Sequence, residues 1–148
     1  MKRIFSLIFF SWVLFSQVLF AQPDQTHRVI VLTDIEADPD DTESMVRLLL
    51  YSNEIDIKGL IATTSVWKKT SVTPSSIKRV IQAYGQVQPN LIQHNPGFPD
   101  AETLLMKVKQ GLPLYGMLGV GDGKDSEGSD WIIKVRYEIG NNNSIPSC

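Results

Sequence analysis

The chain is poor in features that define several protein classes. Its one cysteine, Cys148, is the last of 148 residues, so an intrachain disulfide is excluded. Basic residues are not in excess, because 14 Lys and Arg stand against 16 Asp and Glu, with a formal net charge of −2. A chain without a basic field is not expected to bind nucleic acid or an anionic membrane surface. The fold must therefore depend on packing, with a bound ion as a second source of stability.

The amino-terminal segment has the pattern of a secretory signal peptide. Lys2 and Arg3 precede an apolar run over residues 4–20, which ends at Ala21. Serines and a glutamine interrupt the run, and it is shorter than the roughly 20 apolar residues that a membrane span requires. We therefore predict a signal peptide at residues 1–21, no stable membrane span, and export to the periplasm or out of the cell.

The sequence that follows has the order strand, acidic loop, helix, strand. Residues 29–32 are Val-Ile-Val-Leu, a run typical of a central parallel strand that is covered on both faces. Residues 39–52 place apolar side chains on one helical face, and a second strand is predicted at residues 56–64, with a bulge at Gly59. A βαβ unit closes with parallel strands, so the predicted fold is α/β, a parallel sheet flanked by helices.

Two more helices are predicted after the second strand. In the first, Thr73 is the cap and Gly85 the end, and the proline-rich residues 88–99 that follow are interpreted as an ordered loop. The second helix runs from its cap Asp100 to Gly111.

The carboxyl-terminal part of the chain is predicted to contain less regular structure. Residues 116–129 are rich in glycine and acidic residues, which indicates a loop, and a helix start is predicted near Trp131. The apolar pattern stops after Val135, so residues 136–148 are predicted to form a disordered tail. No second domain is indicated.

The densest cluster of charge lies between the first strand and the first helix. Six of the sixteen acidic residues fall here: Asp34, Glu36, Asp38, Asp40, Asp41 and Glu43. Helix capping explains part of the cluster, because Asp38 before Pro39 suits an N-cap and carboxylates in a first turn favour the macrodipole. Capping does not explain Asp34 and Glu36, which precede the cap at the carboxyl end of the strand, where open α/β sheets hold ligands.

Converging carboxylates repel one another unless a proton or a cation neutralises them. Oxygen ligands of this kind suit Ca²⁺ or Mg²⁺, and the lack of nearby His and Cys argues against zinc. The spacing also differs from that of an EF-hand loop. The loop is therefore a candidate site for a hard divalent cation.

Several segments, in order along the chain, resemble one protein family. The segments are residues 33–41 (Thr-Asp-Ile-Glu-Ala-Asp-Pro-Asp-Asp), 47–54, 59–65, 95–99 and 121–130. They are similar to the nucleoside hydrolase-like domain of exported, cellulose-binding-type bacterial proteins, a distant relative of the inosine-uridine nucleoside hydrolases. The resemblance implies a Rossmann-like fold and a longer domain with more strands and a further metal-binding aspartate. We therefore interpret residues 22–135 as the truncated, N-terminal part of such a domain and expect no turnover from it alone.

The resemblance also implies roles for the acidic residues. The inosine-uridine hydrolases bind Ca²⁺, the ribose hydroxyls and the attacking water with an Asp-x-Asp-Pro-Gly-x-Asp-Asp loop. Counted back from the Asp pair, Asp34 and Asp41 fall on metal-ligand positions and Asp40 on a ribose-hydroxyl position. Glu36 falls on the water-activating position. The Asp-Pro pair stands two places later than in those enzymes, so Asp38 is an equal candidate for the catalytic role.

Two further side chains are candidates for contacts with a substrate. Trp67 follows the second strand, where those hydrolases carry an asparagine, and an aromatic ring there can stack on a sugar or base. His94 lies beside Asn95-Pro96-Gly97 and can protonate a leaving base, although an isolated loop histidine is more often simply exposed.

The sequence thus favours an N-glycosyl, nucleoside-type hydrolase-like protein with a carboxylate-bound Ca²⁺. Cleavage of an N-glycosidic bond needs a nucleophilic water and stabilisation of an oxocarbenium-like centre, and a bound cation with a nearby carboxylate can supply both. The alternative is a non-catalytic carbohydrate-binding protein of the cellulose type, or a cell-envelope protein, that uses the fold without turnover. In both hypotheses the partner is a nucleoside or a carbohydrate.

Overall fold

The computed structural model describes residues 26–142. The predicted signal peptide and residues 143–148, with Cys148, lie outside this range. The elements in chain order are β1 (His27–Thr33), α1 (Pro39–Leu50), β2 (Ile55–Ala62), α2 (Pro74–His94), α3 (Ala101–Met106), β3 (Val108–Gln110) and α4 (Glu127–Asn142), with a 3-10 turn at Gly116–Gly119. Over residues 26–142, no helix is long and apolar enough to cross a membrane.

The strands form a parallel sheet in the order β1-β2-β3, which confirms the α/β class. β1 and β2 pair along their length, and the register shifts after Val29, so Lys58 on β2 has no partner on β1. The extra residue stands next to Gly59, where the sequence predicted a bulge. β3 pairs with the last three residues of β2 on its other side.

The prediction that residues 29–32 form a central strand is wrong for the described part of the chain. There β1 pairs with β2 alone, and the side chain of Leu32 is 57% exposed. The central strand is β2, in which residues 59–62 are all buried. The apolar run of β1 is typical of a strand covered on both faces. In this structure α4 packs mainly against β2 and β3, which leaves the Leu32 end of β1 open.

The main core lies between one face of the sheet and the helices α1, α2 and α3. Its fully buried side chains are Ile35, Leu49, Ile57, Leu60, Ile77, Ile81 and Leu104. Full burial of one such aliphatic side chain contributes about 1.5–3 kcal/mol. The core therefore fixes the positions of α1 and α2 relative to the carboxyl ends of the strands.

Helix α4 covers the other face of the sheet at close range. A Cβ at Gly128 would lie 2.7 Å from Ile61 Cγ2, so only glycine permits this approach. Trp131 lies over Gly59, and its Nε1 donates a hydrogen bond of 2.8 Å to the carbonyl of Lys58, the bulge residue. The bulge thus gains a hydrogen-bond partner from α4.

Helix α2 continues for 21 residues, through Gly85, which was predicted to end it, and through Pro89, which lies in the segment predicted as a loop. Gly85 lies inside the helix, where a Cβ would come within 2.9 Å of Ala101 Cβ, so this glycine allows α3 to approach. Pro89 also lies inside the helix, where one main-chain hydrogen bond is lost because proline has no N–H. Residues 88–94, predicted as loop, are therefore helical, and within them Leu91 packs against the main core.

The helix predicted from Asp100 to Gly111 ends early. Asp100 caps it as predicted, since its Oδ1 accepts a hydrogen bond of 2.7 Å from the amide of Thr103. The helix stops at Met106, and the following Val108–Gln110 becomes β3. Val108 is buried in this strand, as it would be on a helix, so the apolar pattern alone did not separate the two structures.

Helix α4 begins at Glu127, close to the helix start predicted near Trp131, although residues 127–129 were predicted as loop. It continues to Asn142, whereas disorder was predicted from residue 136. The difference has a simple cause, because each residue added to an existing helix gains one main-chain hydrogen bond without any apolar contact. Tyr137 in this part is 70% exposed.

Candidate functional site

The acidic loop, residues 34–41, joins the carboxyl end of β1 to α1. The amide of Ala37 donates a hydrogen bond of 2.9 Å to the carbonyl of Asp34 and closes a turn. Ile35 is fully buried and anchors this turn in the core. Glu36 has a φ of 72°, a left-handed conformation that costs a residue other than glycine about 1–2 kcal/mol. Contacts around the turn must therefore hold it in place.

The turn brings two carboxyl groups together, those of Asp34 and Asp41, which we call the acid pair. They lie close enough for each to affect the pKa of the other. The pKa of Asp34 is lowered, chiefly by hydrogen bonding to the Ser65 side chain in the loop after β2. The pKa of Asp41 is raised, first by partial burial and then by the negative charge of Asp34. Of the two residues, Asp41 therefore holds a proton more readily.

Glu36 bonds to α2 and not to the acid pair. Its carboxylate accepts a hydrogen bond of 2.5 Å from Ser76 Oγ and forms an ion pair with Arg79. The pKa of Glu36 is lowered, chiefly by the bond from Ser76 and also by the charge of Arg79. A carboxylate that is held ionised in this way is a weak base, so this geometry does not favour Glu36 as the residue that activates water.

The remaining acidic candidates lie at the start of α1. Asp38 is its N-cap residue and Asp40 lies in its first turn, as the capping alternative predicted. Asp38 makes no side-chain capping bond, and both residues are exposed. The charges of both help to raise the pKa of Asp41, so they add to the negative field at the acid pair. Within residues 26–142, no three His, Cys, Asp or Glu side chains are grouped closely enough to hold a metal ion.

Lys68, which lies in the loop after β2, was not among the site residues predicted from the sequence. Its Nζ donates hydrogen bonds of 2.7 Å to the carbonyl of Ile35 and 2.7 Å to Thr73 Oγ1. The Thr73 hydroxyl donates in turn to the same carbonyl at 2.8 Å. A signal was present, because the carboxyl ends of neighbouring parallel strands meet at one edge of the sheet. The topology could therefore have placed polar residues that follow β2 near those that follow β1.

Trp67 lies in the same loop and is 79% exposed. Its main-chain N–H donates a hydrogen bond of 3.1 Å to Ser65 Oγ, and Ser65 is the residue that chiefly lowers the pKa of Asp34, so the loop that carries the ring adjoins the acid pair. The loop after β3 is a neighbour, since Thr64 Oγ1 lies 3.4 Å from the carbonyl of Leu114. That loop exposes further apolar side chains: Leu114, Tyr115, Met117 and Leu118. This edge of the sheet combines carboxylates with exposed aromatic and apolar surface.

His94 does not lie at this edge. Helix α2 begins beside the acidic loop, where Ser76 bonds Glu36, and His94 is its last residue. About 27 Å of helix separates Ser76 from His94 at 1.5 Å per residue. The helix was predicted to end at Gly85; because it continues to His94, this residue lies far from the acidic loop.

A separate groove of about 480 Å³ lies between α1 and α2. Glu36, Ser76 and Arg79 are its charged and polar lining, together with Thr42, and the rest of its wall is mostly apolar. Neither member of the acid pair lines this groove. The acid pair and the groove are therefore different surfaces, and Glu36 with its partners Ser76 and Arg79 belongs to the groove.

Comparisons with known proteins agree with this architecture. Residues 28–143 match the family described as cellulose-binding Sde182, nucleoside hydrolase-like domain. The chain is also similar to a solved structure from Saccharophagus degradans, a nucleoside hydrolase-related hypothetical protein associated with carbohydrate metabolism, with 45% identity and a TM-score of 0.72. That match covers 75% of this chain and 27% of the other. No curated protein matches the sequence.

Proposed function

The chain belongs to the cellulose-binding Sde182, nucleoside hydrolase-like domain family, and from this membership we propose that it acts on or binds an N-glycoside or carbohydrate at the acid pair. The acid pair carries the proposal, because it lies at the carboxyl end of a parallel strand, where open α/β sheets hold ligands. The chain spans 27% of the solved relative. We therefore propose the activity for a whole protein of this family. The part of such a protein that this chain represents would supply the acid pair.

Asp34 and Asp41 are proposed to hold a hard divalent cation, Ca²⁺ in the first instance. The pKa of Asp41 is raised first by partial burial and then by the negative charge of Asp34, and a bound cation relieves the repulsion between the two carboxyl groups. Ca²⁺ takes roughly six to eight oxygen ligands, so this pair supplies part of a shell that water and sugar hydroxyls complete. When bound, the cation would acidify a coordinated water.

The other residues of this edge have roles that follow from their positions. Asp38 is exposed and makes no capping bond, so it is better placed than Glu36 to accept a proton from an attacking water. Asp40, exposed in the first turn of α1, can accept hydrogen bonds from sugar hydroxyls. The exposed ring of Trp67 offers an apolar face on which a sugar or base can stack.

Ribose release from a panel of nucleosides tests hydrolysis. A full-length family member is the appropriate enzyme, and we expect turnover that falls when its counterpart of Asp34 is replaced by Asn. The 148-residue chain alone is expected to give none. Nucleoside cleavage at the wild-type rate after the Asn substitution would contradict the assignment of the acid pair.

A second candidate is carbohydrate binding without turnover. Two observations favour it, namely the exposed Trp67 beside the acid pair and the engagement of Glu36 by Ser76 and Arg79. Affinity electrophoresis through soluble cellulose derivatives, with wild type and Trp67→Ala, separates the two. Retardation that depends on Trp67, in the absence of nucleoside cleavage by full-length relatives, would select binding over catalysis.

Export is part of both candidates and rests on the apolar segment at residues 4–20. The mass of the protein recovered from the periplasm or medium of an expressing bacterium tests it. A mature chain that begins at residue 22 is expected, and an uncleaved chain in the cytoplasm would contradict export.

A further inference from the structure

The carbonyl oxygen of Ile35 is the point at which three segments meet. It belongs to the peptide that joins buried Ile35 to Glu36, the residue with φ 72°. This oxygen accepts hydrogen bonds from Lys68 Nζ, in the loop after β2, and from Thr73 Oγ1, at the N-cap of α2. Lys68 and Thr73 also bond each other at 2.7 Å, so the three groups form a closed triangle.

This triangle holds a conformation that the loop would not keep by itself. A residue other than glycine stays at positive φ only when its surroundings determine the backbone. On one side of Glu36 the carbonyl is held by Lys68 and Thr73, and on the other side Ala37 bonds back to Asp34. Release of the carbonyl would free the turn that places Asp34 beside Asp41.

We infer that Lys68 and Thr73 are positioning residues for the acid pair: they fix the Ile35 carbonyl and thereby hold Asp34 in place for a cation. The inference rests on the proposed cation site for its functional consequence, which is tighter binding of Ca²⁺. Neither residue needs to touch the cation or a substrate for this role.

An effect through charge alone would have the opposite sign. An ammonium group near the acid pair repels a divalent cation, so removal of a purely electrostatic Lys68 would tighten Ca²⁺ binding. Removal of a positioning Lys68 loosens it. Thr73→Val separates the two effects again, because it removes the bridging hydroxyl without any change in charge.

Calorimetric titration of the full chain with CaCl₂ tests the inference on Lys68→Met, Thr73→Val and a control, Lys69→Met. Lys69 is the next residue, is exposed, and carries the same charge. We expect Lys68→Met and Thr73→Val each to weaken Ca²⁺ binding by about tenfold or more, as the loss of groups that orient metal ligands commonly does. Lys69→Met should bind as the wild type does. If the wild type binds Ca²⁺, unchanged or tighter binding in both variants would overturn the positioning role.

Hydrogen exchange of the metal-free protein distinguishes this inference from the cation site. The Ala37 amide closes the turn, so it should exchange about tenfold faster in both variants, while β2 amides stay protected and report that the fold is intact. Thr73→Val keeps the test available if Lys68→Met does not fold. Unchanged exchange at Ala37 would overturn the inference whether or not Ca²⁺ binds. Faster exchange in a protein that binds no Ca²⁺ would reject the cation site and support the positioning role.

Discussion

Replacement of Asp41 by Asn isolates the charge conflict in the acid pair. In the cation-free protein, Asn keeps the shape of the side chain and can donate a hydrogen bond to Asp34, but it removes one negative charge. Asp40→Asn is the matched control, because Asp40 lies in the same first turn of α1. Both substitutions lose a favourable interaction with the helix macrodipole of about 0.3–1 kcal/mol. The difference between the two variants therefore reports the acid pair.

The expected magnitude follows from the exposure of the acid pair. Two like charges 4 Å apart repel by about 1 kcal/mol in water and about 4 kcal/mol at an effective dielectric constant of 20. The acid pair is only half-buried, so screening places its repulsion near the lower value, about 1 kcal/mol. At pH 7 and without Ca²⁺, Asp41→Asn should therefore be about 1 kcal/mol more stable than Asp40→Asn, or about 4 °C in Tm.

The stability difference between Asp41→Asn and Asp40→Asn should depend on pH in a direction set by the pKa of Asp41. The pKa of Asp41 is raised above 3.8 in the folded protein, so its favourable contribution is present below pH 3.8 and is lost as the pH rises through the folded pKa. The advantage of Asp41→Asn should thus be absent at pH 3.5 and grow at higher pH. Thermal unfolding followed by circular dichroism measures both variants. A lower Tm for Asp41→Asn than for Asp40→Asn at pH 7, or a difference independent of pH, would refute the reasoning.

Three other expectations follow from single contacts. Gly85→Ala should destabilise the fold by about 1–3 kcal/mol in urea unfolding, because its Cβ would lie 2.9 Å from Ala101 Cβ; a neutral result would show that α3 moves freely away. Trp67→Ala should abolish retardation by soluble cellulose derivatives and change stability by no more than about 0.5 kcal/mol, since the ring is 79% exposed. Glu36 has a lowered pKa, so its contribution is present above pH 4.5 and lost as the pH falls, and the stability advantage of wild type over Glu36→Gln should shrink in acid; a constant difference would contradict this.

The sequence predicted the parts of the fold that depend on local pattern. The βαβ unit, the bulge beside Gly59 and the Asp100 cap follow from apolar periodicity and residue type, and the structure confirms them. The continuation of α2 through Gly85 was not predictable. The glycine allows the close approach of Ala101, and this contact exists only in the folded chain. The three residues of β3 likewise become a strand only because β2 offers an open edge.

The acidic loop also has features that the sequence predicted and features that it did not. Its position after the first strand identified it as the candidate site, and the structure does bring Asp34 and Asp41 together. The orientation of the Glu36 side chain was not predictable. It depends on the positive φ of Glu36 and on the Ser76 and Arg79 side chains of α2. Lys68 was not predicted as a site residue because a single lysine in a loop forms no recognisable motif. Its role depends on the contact between the loop after β2 and the loop after β1.

The central claim is that Asp34 and Asp41 together form a cation site, and a calorimetric titration of Ca²⁺ into the wild type and Asp34→Asn at pH 7 tests it most directly. A proton on Asp41 competes with Ca²⁺, and the pKa of Asp41 is raised above 3.8, so binding should also strengthen as the pH rises through the pKa of Asp41. We predict saturable binding in the wild type and its loss in Asp34→Asn. Equal binding by both proteins, or no saturable binding by the wild type, would contradict the claim.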